Sequence, residues 1–254
     1  MRVAGSLLAL MLFVLTGTGC SVFKEYDETA GWDASQLYNA AKEALNDNDY
    51  EKAIKFYGKL EARFPYGRYT QQAQLETAYA HYKAGESEAA IAAAERFIKL
   101  HPRHPNVDYA YYMRGLASFE PGRNFLERFF PQDGAQRDPT AARESFRYFS
   151  ELVQRYPQSR YSQDAVQRMT YLRNSLARYE VLVADYYLRR GAHLAAANRG
   201  KYVLENYERT PAVPDALAVM VQAYREMKMT DLADSAYRVL EQNHPERAAQ
   251  LAVE

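Results

Sequence analysis

A frame that recurs every 37 residues restricts the fold of this 254-residue chain more than any other feature. Ala53, Tyr57, Leu60 and Phe64-Pro65 return as Ala90, Ala94, Phe97 and His101-Pro102. Near the C-terminus, Gly191, Ala196, Gly200 and Val203 lead at the same offset to Ala233, Tyr237, Leu240 and His244-Pro245. Each copy reads as a helix, a tight turn at Gly or Asn, a second helix and then Pro, which lacks the N–H needed to continue the hydrogen-bond ladder. Small residues where two helices cross let the backbones come close, while Leu and aromatic side chains fill the space beside them.

This arrangement resembles the tetratricopeptide repeat of about 34 residues, with about three more in the loop after the second helix. The fold expected from it is all-α: a right-handed superhelical array of about five tetratricopeptide-like helix pairs. The pairs fall at about 34–68, 69–104, 105–157, 161–210 and 214–245. The third pair has Gly115 at its close-packed position and is interrupted by an insertion at 120–138. Pro121-Gly122, Pro131 and Asp133-Gly134 there are turn formers around Phe125, Leu126, Phe129 and Phe130, so a loop with one short helical turn tucked against the array is expected. From Tyr161 to Arg190 the chain has no Gly or Pro, and apolar residues recur at threes and fours. One helix of about 30 residues, about 45 Å long and projecting beyond its neighbours, is predicted. The charged, Ala-rich tail after Pro245 is expected to be frayed helix.

The first nineteen residues are laid out as an export signal. Arg2 supplies the positive start, residues 7–15 read LLALMLFVL, and small residues 16–19 lead to Cys20. Nine apolar residues are about half of the roughly 20 that cross a bilayer. A Cys directly after small residues resembles the bacterial lipoprotein signal, in which that Cys is diacylated, although Gly17 stands where the pattern carries Leu. Plain secretion, with Cys20 merely near the cut, is the alternative. Ser21 after Cys20 implies sorting to the outer membrane, because Asp at that place resembles the inner-membrane retention signal. Residues 20–33 then read as a lipidated tether ahead of a repeat domain at 34–254.

Lys and Arg total 32, as do Asp and Glu, so no net field draws the chain to nucleic acid. A single Cys excludes an intrachain disulfide and a Cys-based metal site. His101 and His104 are spaced as a helical Zn pair would be, but Pro102 and Pro105 break the helix that geometry needs. No phosphate-binding glycine loop, nucleophile elbow or H-E-x-x-H occurs, so no catalytic or cofactor-binding residue is expected. Glu144, Glu151 and Glu180 read as solvated helix faces. Repeats that touch only their neighbours leave a concave groove, and such grooves bind polypeptides. Tyr79, Tyr82, Tyr109, Tyr111 and Tyr112 either line that groove or pack between helices, while Tyr66 and Tyr69 flank the Gly67 turn, where a ring has less core to enter.

Longer stretches carry a more specific resemblance. HPNVDYAYYMRGL at 104–116, Arg137-Asp-Pro139, Ala142-Arg143, Tyr156-Pro157, Ala177-Arg-Tyr-Glu180, Tyr186-Tyr187 and FPYGRYTQQ at 64–72 are similar to the BamD family, the lipoprotein subunits of the β-barrel assembly machinery. The resemblance covers nearly the whole chain. It implies a non-enzymatic scaffold, lipid-anchored at Cys20 in the outer membrane and facing the periplasm, with no cofactor or metal. Its partners would be the periplasmic domain of the BamA barrel subunit, docked on the fourth pair with Arg199 in contact, other lipoproteins of the complex, and unfolded outer-membrane proteins received by the N-terminal pairs. Tyr66, Tyr69 and Tyr82 are the expected substrate contacts. Another periplasmic repeat lipoprotein, serving pilus or cell-wall assembly, would share the anchor and the repeats.

Overall fold

The computed structural model describes residues 27–119 and 139–253; the signal segment, Cys20 and the insertion lie outside them. Residues 27–33 form turns that stand as a separate unit. From Ala34 onward the described residues form eleven helices and no strand. They are α1 (Ala34–Asn46), α2 (Tyr50–Arg63), α3 (Arg68–Ala84), α4 (Ser87–Leu100), α5 (Val107–Phe119), α6 (Pro139–Arg155), α7 (Ser162–Arg189), α8 (His193–Asn206), α9 (Val213–Glu226), α10 (Thr230–Asn243) and α11 (Pro245–Val253). Each helix packs on the one before it and the one after it, and α1 touches α3, α3 touches α5, α7 touches α9 and α9 touches α11. This is the expected all-α array of stacked helix pairs.

Four turns of one geometry set its register. Asn48, Gly85, Gly191 and Lys228 all have left-handed backbones, with φ of 62°, 82°, 74° and 59°. The next N–H in each case reaches the carbonyl five residues back at 2.9 Å: Asp49 to Ala44, Glu86 to His81, Ala192 to Tyr187 and Met229 to Tyr224. This 6→1 bond closes the first helix of a pair and turns the chain back along it. Glycine takes that conformation without strain, whereas a side chain there meets the following carbonyl. Lys228 is the member of the set that neither Gly nor Asn signals in the sequence.

Three second helices end by a different device. Phe64, His101 and His244 precede proline and have extended φ values of −129°, −131° and −142°. Steric conflict with the proline ring moves the preceding residue out of the helical region. The Thr70 hydroxyl donates to the Phe64 carbonyl across the first of these loops, and the Ser162 hydroxyl donates to the Tyr156 carbonyl at 2.7 Å across a later one.

Glycine also permits the closest helix approaches. A Cβ on Gly115 of α5 would lie 2.4 Å from the ring of Phe149 on α6, and one on Gly200 of α8 would lie 2.9 Å from the Ala216 carbonyl of α9. Around these contacts Phe97, Met113, Phe149 and Leu152 are almost fully buried and form one cluster with Ala165 and Leu172 of α7.

Two expectations change. The 28-residue α7 is not a projecting rod: its buried apolar residues from Ala165 to Ala184 enter three successive clusters, so the helix serves as a shared wall for the pairs around it. The tail is not frayed either. Ala248 and Leu251 of α11 are buried against Leu217, Val221 and Leu240, and Arg247 Nε donates to Asp215 Oδ1 at 2.8 Å. The helix therefore covers the apolar end of the last pair, as a capping element must in a repeat array.

Two substitutions check this account by urea denaturation. Lys228→Gly relieves the left-handed side chain and raises stability by about 0.5–1 kcal/mol. Gly200→Ala drives a methyl into a carbonyl that cannot move aside and costs about 1–3 kcal/mol.

Candidate functional site

The first helices of the first three pairs present side chains to one open groove of about 570 Å³. Lys42 and Asn46 of α1, Gln72, Glu76 and Tyr79 of α3, and Tyr109 of α5 line it, and Arg160 and Tyr161 close the end at the start of α7. These residues come from three helices and the turn before a fourth, widely separated in sequence, and the stacking of successive first helices brings them to one face.

Glu76 organises the base. Its carboxylate accepts from Lys42 Nζ at 2.8 Å, Gln72 Nε2 at 3.0 Å and Tyr38 Oη at 3.1 Å, and from Tyr57 Oη. Burial opposes charge on this group, yet the hydrogen bonds from Lys42, Tyr57 and Gln72 outweigh it and hold the carboxyl below its ordinary value. The same contacts push the Tyr38 and Tyr57 hydroxyls up, burial being the largest cause in both. Glu76 is thus a charged group that the fold keeps charged.

The far wall is aromatic. Tyr161 stacks on Tyr112 with ring centroids 4.9 Å apart and an 18° tilt, and lies 5.4 Å from the ring of Tyr109. Tyr112 Oη donates to Asp164 Oδ2 at 2.5 Å, and Arg168 Nε donates to the same oxygen at 2.6 Å. Burial, with the bond to Asp164, pushes the Tyr112 hydroxyl up to about 12. Arg160 sits over Tyr161, 4.8 Å from the ring centroid, and is exposed. The groove therefore offers two cations, one held carboxylate and a rigid aromatic platform to whatever enters it.

Residues singled out by sequence divide between the groove and its surroundings. Tyr79 and Tyr109 line it. Tyr111 is buried between Tyr156 and Arg114, and Tyr82 packs against the central cluster. Tyr66 is 92% exposed in the loop before α3, and Tyr69 packs on Tyr38 at 5.4 Å. The structure therefore does not bring Tyr66, Tyr69 and Tyr82 together in the groove. His101 and His104 pack their rings on Phe97, and His101 Nε2 lies 2.8 Å from Gln74 Oε1. Among the described residues, no group of three His, Cys, Asp or Glu could hold a metal ion.

Arg199 lies elsewhere. Glu180 of α7, expected on a solvated face, is 1% exposed and holds two half-exposed arginines: Arg199 Nη1 donates to it at 2.7 Å and Arg143 Nη2 at 3.1 Å. It faces inward because α6 and α8 both pack on α7 where it stands. Glu151, also expected in solvent, accepts from Arg114 Nη2 at 2.7 Å, and Arg114 is 7% exposed between the rings of Tyr111 and Tyr148. Carboxylates at helix-face positions carried no mark in the sequence that would distinguish these from solvated ones.

Stacked helix pairs with a mixed polar and aromatic groove define a helical-repeat protein. A family model described as outer membrane lipoprotein, YfiO, matches residues 31–239, and the chain belongs to that family. Curated relatives named outer membrane protein assembly factor BamD include that of Neisseria gonorrhoeae, 46% identical over 222 residues, with 87% of this chain and 83% of the relative covered. The relative from Vibrio cholerae is 38% identical over 237 residues, covering 93% and 96%, and that from Haemophilus influenzae 35% over 236 residues, covering 93% and 89%. Among the described residues no helix is long and apolar enough to cross a membrane.

The Glu76 network sets an acid limit. A carboxyl held below its unfolded value contributes stability above that value, near 4.5, and the contribution is lost as pH falls through the folded value. Thermal melts should therefore fall off below about pH 4.5. Glu76→Gln should lower stability at pH 7 by about 1–3 kcal/mol and flatten that acid limb.

Proposed function

We propose that this chain is a non-catalytic scaffold of outer-membrane β-barrel assembly. It is anchored through acyl chains on Cys20 to the outer membrane and faces the periplasm, since two chains give the stable anchoring that one does not. The groove across α1, α3 and α5 receives an extended segment of an unfolded outer-membrane protein, and the fourth helix pair docks the BamA barrel subunit, with other lipoproteins of the complex alongside. The observation that carries this reading is the groove itself, in a family whose curated members bear the name of assembly factors. A strand in transit exposes unpaired main-chain groups and alternating side chains. Lys42 and Arg160 suit its carboxylates or carbonyls, Gln72 its main chain, and the Tyr109–Tyr161 platform its aromatic residues.

Arg199 supports the docking half of the reading through the way it is held. Glu180 fixes one edge of the guanidinium, so the remaining donors are aimed with little loss of rotamer freedom when an acidic partner arrives. Charge reversal at Arg199 would also set two carboxylates together on a buried site, so loss of folding would be mixed with loss of docking. Arg199→Gln keeps a donor for Glu180 and removes the charge. It should leave the melting temperature within a few degrees while reducing recovery of BamA from native membranes; undiminished recovery removes Arg199 from the interface.

Tyr66, Tyr69 and Tyr82 remain the proposed flanking contacts for substrate. Because Tyr66 is so exposed, Tyr66→Ala should change stability by no more than about 0.5 kcal/mol. Binding of a urea-denatured porin, followed by fluorescence anisotropy, should weaken severalfold in that variant.

A further inference from the structure

One chemical group recurs around the groove across α1, α3 and α5. Four side-chain amides, those of Asn46, Asn48, Gln72 and Asn106, line it together. Asn46 and Asn106 are exposed, and neither side chain makes a hydrogen bond among the described residues. Gln72 donates through Nε2 to Glu76, which fixes its position and leaves Oε1 unbonded among the described residues, while Asn48 accepts from Tyr50 Oη through Oδ1 and keeps its own donors. A carboxamide carries N–H donors and a C=O acceptor, the same pair that a peptide main chain presents.

The spacing suits an extended chain. Two reversals leave α1 and α3 running the same way, and the bond from Lys42 to Glu76 puts those two residues level with each other. Asn46 lies one turn beyond Lys42 and Gln72 one turn before Glu76, so the two amides stand about 12 Å apart along the helix axes. That is about the length of four extended residues. A polyanion entering here would face the charged Glu76 carboxylate at the base, and a helix has already paired its own main chain. An unpaired strand brings free N–H and C=O groups to all four positions.

We propose that Asn46, Asn48, Gln72 and Asn106 form a ladder that hydrogen-bonds the main chain of the client along one edge. The groove then holds a chain by its unpaired backbone and accepts many side-chain sequences. This inference rests on the proposed role of the groove as the client site, and it names what the site recognises there. Once that edge pairs with a neighbouring strand, the ladder loses its ligand, so a client that has begun to form sheet is released.

Successive N–H groups of an extended chain point to opposite edges, so only alternate ones can meet the ladder. The probe is a fluorescent peptide of about ten residues with alternating Tyr and Thr, the two-residue period of a barrel strand. It is made unmodified, N-methylated at the Tyr nitrogens, and N-methylated at the Thr nitrogens. Anisotropy with the full-length protein should show one methylated form bound about tenfold more weakly than the unmodified peptide and the other within about twofold of it. In the double variant Asn46→Ala with Asn106→Ala, whose melting temperature verifies its fold, the unmodified peptide should bind about fivefold more weakly and the gap between the methylated forms should shrink. A urea-denatured porin is measured alongside. If the porin binds but the three peptides bind equally or not at all, or if the double variant leaves the gap unchanged, the ladder is overturned and the client site stands. Failure of the porin itself to bind would remove the client site instead.

Discussion

The fold depends on how closely its helices are allowed to approach. Fully buried alanines at 53, 78, 90, 94, 110, 196 and 216, with glycines at 115 and 200, occupy the crossings between neighbours. Each contributes little apolar area, so stability comes from the few large groups wedged beside them, such as Phe97, Phe149, Leu60 and Leu240. Crossings this tight leave no interior room for most of the 22 tyrosines. Rings such as Tyr109 and Tyr161 are displaced to the flanks, where their hydroxyls and faces shape the groove. The close approach that packs the helices is therefore also what puts aromatic surface on the groove wall.

Charge is buried at three places among the described residues, and opposite charges or hydrogen-bond donors face each of them. Glu76 receives four donors, Arg114 lies between two carboxylates and two rings, and Glu180 receives two guanidinium groups. A buried ion left without such partners would cost several kcal/mol, about the whole margin of a small domain. Arg114 extends further, because Arg147 lies over Tyr148 at 4.4 Å and Arg155 over Tyr111 at 5.8 Å. Guanidinium groups and rings thus alternate along the seam where α4, α5 and α6 meet.

Much of this architecture is legible in the amino-acid sequence. The 37-residue frame, the prolines after second helices and the Gly turns are local signals, and each corresponds to a helix end that is observed. Gly115 could be read because a helix tolerates glycine poorly unless something approaches it. Lys228 could not, since a strained left-handed lysine has no signature in sequence. The inward turn of Glu180 depends on which neighbours cover one face of a long helix, and periodicity within α7 does not reveal that. Groove residues were missed for a similar reason. Lys42 and Gln72 on separate helices and Arg160 in the turn before α7 are ordinary polar residues, and only the stacking of first helix on first helix makes them a set.

The three buried ions share one property of placement. Glu76 on α3 is bound to Lys42 and Tyr57 from the pair before it, Arg114 on α5 reaches back to Glu95, and Glu180 on α7 reaches back to Arg143. In a one-dimensional array, the tendency of units to melt together is set by the energy at their shared boundaries. A boundary crossed by a buried ion penalises separation heavily, because opening it strands a charge whose remaining partners were arranged for two. The array should consequently behave as one cooperative block rather than as a string of independently fraying modules.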